Sequence, residues 1–169
     1  MDFEDGITEL YALRRRGLAG DADAYAVARD RLAVLLPPAA GRDRARLLQV
    51  LGQVERDQGE RTAALDAYEK AVAIWRALGE ADGLAHALRH AADIRREAGD
   101  AALALAEIDE ALGLLGGADG LTRGNGLRVR ALCLEALGRP AREAWLEVKA
   151  LYEQVGVAAG IEECERHLG

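Results

Sequence analysis

The sequence predicts an all-α protein built of antiparallel helix pairs, and three observations predict it. Half of the 169 residues are apolar and only 4% are aromatic, the apolar half being mostly Ala and Leu. These residues favour helix, and small side chains let helices approach closely. Long runs of Val, Ile and Thr with period-two alternation are missing, so no sheet is expected. Finally, apolar and small residues recur at helical spacing on both sides of isolated glycines, and the arrangement returns about every 40 residues.

Taken in order, residues 1–40 carry the weakest copy. Phe3, Ile7, Leu10 and Arg14 share one helical face, and Leu18 to Asp21 reads as a turn. Ala24, Ala28 and Leu32 continue on a second helix that ends at Pro37 and Pro38. The clearest copy follows, in LLQVLGQVERDQGERTAALDAYEKA. Leu48, Leu51, Gly52 and Glu55 precede Gly59; Ala64, Tyr68 and Ala71 follow it, with Ile74 and Trp75 one turn further on. Gly59 suits the left-handed C-cap that side-chain-bearing residues resist. The small Gly52, Ala64 and Ala71 predict a close crossing, with Tyr68 buried between two antiparallel helices.

A shift of 40 residues lays Leu88, Ala91 and Ala92, then Ala104, Ile108 and Ala111, around Gly99. A further shift of 39 reaches Gly138, preceded by Leu127, Ala131 and Leu134 and followed by Ala144, Val148 and Leu151, displaced by one residue around Pro140. The linkers repeat too, as LGEADGL at 78–84 and LGGADGL at 115–121. Clear repeats are therefore expected over 42–80, 81–118 and 120–155, within one helical-repeat domain over 1–169. The polar EECER segment suits a capping helix over 157–168, because a terminal repeat has one face with no neighbour. The glycine cluster GGADGLTRGNG at 116–126 lacks the Lys-Ser/Thr of a phosphate loop and reads as a linker.

Composition excludes several function classes. A net charge of −7 argues against a general nucleic-acid binder. The opening MDFEDGITEL is acidic where a signal peptide needs a basic stretch and then an apolar one. No segment approaches the roughly 18 apolar residues of a membrane span. A cytoplasmic home with no membrane partner is the expectation, and two cysteines make neither a disulfide framework nor a zinc site.

Candidate chemistry is sparse. His86 and His90 have the i, i+4 spacing that can hold a metal, but no third ligand is evident, so no metal or cofactor is expected. Cys133 lies among Ala131, Leu132 and Leu134 as a small apolar filler. Cys164 reads as an exposed, oxidisable thiol. Arg14, Arg15 and Arg16 sit where cations favour a helix C-terminus. Carboxylates are plentiful, yet none pairs with an obvious nucleophile or base, so no enzyme is expected.

On the residues of 47–71, with the Leu-Gly pair, turn glycine, Ala, aromatic and Ala in order, the chain resembles the tetratricopeptide repeat family, in a longer form of about 40 residues. The early Trp of that family is replaced by Leu48, Leu88 and Leu127. The resemblance implies a right-handed superhelical solenoid whose first helices line a concave groove that binds a partner peptide or helix. Carried over repeat by repeat, the groove residues are Arg46, Gln49, Gln53 and Arg56; then His86, Arg89, Asp93 and Arg96; then Asn125, Arg128, Leu132 and Glu135. Arginine recurs at aligned positions, Arg89 with Arg128 and Arg56 with Arg96. This suggests an acidic protein partner, since guanidinium pairs carboxylates bidentately. The competing view is that these charges merely cancel against Asp57, Asp93 and Glu97. The Lys/Asn/Arg set of the chaperone-tail clamp is not present at Gln49, Gln53, His90, Asn125 and Val129. An adaptor role like that of bacterial regulators with long repeats is implied by analogy alone. The alternative is a self-associating scaffold; monomer and weak homo-oligomer both remain open.

Overall fold

The computed structural model describes residues 3–169 and is all-helical over them. Residues 1 and 2, which belong to the segment read as the first repeat, lie outside the described residues. The helices are α1 (Phe3–Leu18), α2 (Asp23–Leu35), α3 (Gly41–Asp57), α4 (Arg61–Leu78), α5 (Ala81–Glu97), α6 (Ala101–Leu114), α7 (Gly120–Ala136), α8 (Arg142–Val155) and α9 (Ala158–Leu168). They form two compact units, Met1–Ala87 and Leu88–Gly169, which divide within α5.

Three turn glycines stop their helices in one way. Gly59, Gly99 and Gly138 have φ of 81°, 94° and 65°, a region costly for residues with a Cβ. The residue after each reaches back to the helix it leaves. The Glu60 N–H donates to Glu55 O at 2.9 Å, Asp100 to Arg95 at 3.0 Å and Arg139 to Leu134 at 2.8 Å. These bonds satisfy carbonyls that the helix end leaves over. The expected hairpin turns are therefore present at all three sites.

In the first unit the core runs from α1 into α4. Ile7, Leu10, Ala24, Ala28 and Leu32 are buried as their spacing predicts, and Leu13 joins them. Arg14, placed on the same face by the sequence, instead forks onto Asp57 of α3, Nε to Oδ2 at 2.6 Å. Tyr68 is completely buried, and its ring fills the place where a Cβ on Gly52 would sit, 2.6 Å from Cε2. Trp75 of α4 packs in the same way beneath Gly83 of α5, at 2.5 Å.

In the second unit α6, α7, α8 and α9 pack in succession. Ile108, Ala131, Val148 and Trp145 are buried, and Cys133 is the apolar filler its neighbours suggest. Burial pushes the Cys133 thiol up to about 11.

Two expectations need correction here. The glycine cluster is only partly a linker, because α7 begins at Gly120. Asp119 caps it, accepting from Thr122 N–H at 2.9 Å. Gly124 and Gly126 are close-approach positions, where a Cβ would lie 3.0 Å from the Tyr152 ring and 2.9 Å from Leu112. Helix-breaking composition yields there to a cap and to packing. Cys164 is fully buried rather than exposed, and burial raises its pKa.

Candidate first-helix interface

In the first unit, the residues proposed to line a groove sit on α3 and the start of α5. Arg46 points back to α1, where its guanidinium pairs with Glu4 through both oxygens and lies 5.2 Å from the centre of the Phe3 ring. The Arg46 hydrogen bond holds the Glu4 carboxyl below its ordinary value. Gln49 and Gln53 are buried. The Gln49 amide spans to α5, donating to Gly83 O at 3.1 Å and lying 3.0 Å from His86 Nδ1. Arg56, in the last turn of α3, is half-buried.

The second unit holds the other seven, of which Leu132 is half-buried and Glu135 exposed. Asp93 is buried and accepts from Arg96 Nη2 at 2.8 Å; Arg96 also meets Glu97 at 3.5 Å. Arg89 is half-buried, with Nη2 2.7 Å from the His90 ring. Asn125 turns toward α8, where its Oδ1 accepts from the Tyr152 hydroxyl at 2.8 Å. Arg128 forks onto Glu163 of α9, with Nε and Nη2 donating at 2.5 and 2.6 Å. Bidentate hydrogen bonding raises the Arg128 pKa and lowers that of Glu163, each favouring its charged form.

These positions thus contain two kinds of group. Gln49, Gln53, Asp93 and Asn125 are packed or bonded inside their unit. Arg46, Arg96 and Arg128 carry guanidinium groups already seated on carboxylates. The sequence anticipated the arginines and, for Arg96, the acids Asp93 and Glu97, but not Glu4 opposite Arg46 or Glu163 opposite Arg128. Arg14–Asp57, Arg46–Glu4 and Arg128–Glu163 are 43, 42 and 35 residues apart, so each spans about one repeat, the first two joining α1 to α3 and the third α7 to α9. Opposite charges separated by roughly the repeat length are a signal that short-range spacing misses.

A second cluster lies at the end of the chain, built on Glu135, which the sequence placed on the inner face, and on Trp145 and His167, which it did not. Glu135 of α7 accepts from Trp145 Nε1 at 2.7 Å and lies 3.0 Å from His167 Nδ1. The His167 ring stacks on Trp145, with centroids 4.1 Å apart and planes 13° apart. Among the described residues no group of three His, Cys, Asp or Glu is placed to hold a metal ion, and no helix is long and apolar enough to cross a membrane.

The family model for the tetratricopeptide repeat matches residues 43–116. Among solved structures, the chain is similar to nearly identical TPR-like repeats from Podosopora anserina described as those of a kinesin light chain. The identity is 13%, over 95% of this chain and 92% of that one, with a TM-score of 0.71. It is also similar to BtubC (BKLC) from P. vanneervenii, at 15% identity over 99% of this chain and 90% of that one, with a TM-score of 0.51. At such identities the likeness is one of fold. No curated protein matches the chain in sequence.

Proposed function

From a chain that carries tetratricopeptide repeats, whose general role is protein–protein interaction or scaffolding, we propose an adaptor that binds an acidic segment of a partner protein along its first-helix face. The observation that carries this reading is the Arg128–Glu163 fork. It is a first-helix arginine engaged with a carboxylate presented on a helix, the chemistry such a partner would use. Arg89, aligned with Arg128 one repeat earlier, offers a second guanidinium.

Charge-assisted contacts of this kind contribute about 1.5–3 kcal/mol where water is excluded and much less at a rim. Partners captured by the immobilised chain and identified by mass spectrometry supply the ligand. Calorimetry then compares wild type with Arg89→Glu, with circular dichroism confirming unchanged helix content. Weaker binding with a shallower salt dependence supports the reading. Unchanged affinity and salt slope would reduce Arg89 to surface solvation.

A further inference from the structure

Helix α9 is short, and ion pairs supply much of its polar hold. Its 11 residues fall below the about 12–15 at which an isolated helix begins to persist in water, so docking keeps it helical. Among its side chains only Cys164 is fully buried; Ile161 and Leu168 are half-buried, and Gly160 is buried without a side chain. Beyond these, the seat of Gly160 on Tyr152 and the His167 ring stacked on Trp145, the hold is polar. Glu163 sits on Arg128 and His167 on Glu135. Glu165 lies 2.9 Å from Lys149 Nζ, and Leu168 O accepts from Arg142 Nη1 at 3.2 Å. Partly exposed pairs add little beyond the entropy of ordering them, and salt weakens them. Short, weakly buried elements of this kind open first.

The surface beneath α9 differs in kind. Gly160 lies so close to the Tyr152 ring that a Cβ there would clash with it, Glu163 holds Arg128, and His167 covers Trp145. Trp145 and Tyr152 are only 1% and 2% exposed. Trp, Tyr and Arg are the residue types that dominate binding at protein interfaces. One marginal helix lies over Trp145 and Tyr152 and engages Arg128, which stays partly exposed.

We propose that the face of α7 and α8 beneath α9 is a docking site for an acidic helix of a partner protein, and that α9 is its resident occupant, displaced on binding. The ligand is defined by what α9 presents at i, i+3 and i+7, which share one helical face. It needs a glycine against Tyr152, a carboxylate at Arg128 and a flat ring on Trp145. The proposal rests on the protein-binding reading above but not on Arg89 or any captured partner, so each can fail alone.

The test uses the full chain and a labelled peptide of residues 157–169. Gly160→Leu in the chain should eject α9 without altering the face it leaves. Hydrogen exchange confirms the release. The peptide should then bind at least tenfold more tightly than to wild type, whose own helix competes at high effective concentration. Adding Arg128→Glu should cost at least tenfold, which a peptide bearing Glu163→Arg should recover; a peptide bearing Gly160→Leu should not bind. If Gly160→Leu compromises folding, Arg142→Ala with His167→Ala removes only contacts at the last turn and must show the same gain over wild type. An open α9 with no gain in peptide binding overturns the proposal. A concentration-dependent wild-type dimer that the peptide dissociates assigns the site to a second copy and overturns the partner-protein assignment.

Discussion

Two tyrosines each pack on a glycine of a neighbouring helix, Tyr68 against Gly52 in the first unit and Tyr152 against Gly160 in the second. The local device is the same, with a missing Cβ that lets an aromatic ring lie against the helix backbone. The surroundings differ. Around Gly52, α3 and α4 bury Leu47, Leu48, Val50, Val54, Ala64 and Ala71. Around Gly160, α9 contributes Cys164, the His167 ring on Trp145, half-buried Ile161 and Leu168, and then charges. One glycine therefore sits in a seam lined mainly by apolar side chains, while the other sits in the seam proposed above to part locally.

The comparison breaks most sharply at Tyr68. Tyr68→Ala should destabilise by about 3 kcal/mol or more, as the loss of a fully buried large side chain. Denaturant melts measure this, and a wild-type midpoint would mean that the seam does not hold the hairpin. Gly52→Leu comes next, at about 1–3 kcal/mol from overpacking, because the Tyr68 ring already occupies the Cβ position.

Gly160→Leu, chemically the same change, should shift the global midpoint less, on the order of 1 kcal/mol, by letting α9 detach instead of straining its neighbours. Residue-resolved hydrogen exchange should show protection lost over 158–168 and kept over α3 and α4. Equal effects at the two glycines would erase the distinction.

The smallest effect is one of pH. Arg128 holds the Glu163 carboxyl below its ordinary value. A lowered carboxyl adds stability above its unfolded pKa of about 4.3 and loses it as pH falls through the lowered folded value. Corrected for intrinsic rates, α9 amides should exchange faster at pH 3 than at pH 6. Glu163→Gln should make that dependence shallower, and the amides of α3 around Gly52 should follow it less.

Much of this arrangement was legible from residue order. Gly59, Gly99 and Gly138 marked their turns because a left-handed C-cap is a local demand, met within five residues. Tyr68, Ala64 and Ala71 marked a buried face because helical spacing alone aligns them. Gly120, Gly124 and Gly126 misled for the same reason: their local preference is against helix, and only the Asp119 cap and the rings and side chains of α6 and α8 override it.

The inner-face residues divide along the same line. That Arg46, Arg89, Arg96 and Arg128 belong to first helices followed from the repeat. What the Arg46 and Arg128 guanidinium groups touch did not, since Glu4 and Glu163 lie 42 and 35 residues from their arginines. Sequence by itself determined helix type, turn positions and repeat length, because these depend on backbone conformation and on periodicities of a few residues. Tertiary structure alone decided that Cys164 is buried, that Arg128 is already seated on Glu163, and that α9 covers Trp145 and Tyr152. Those outcomes depend on distances between helices, which no spacing within a single helix encodes.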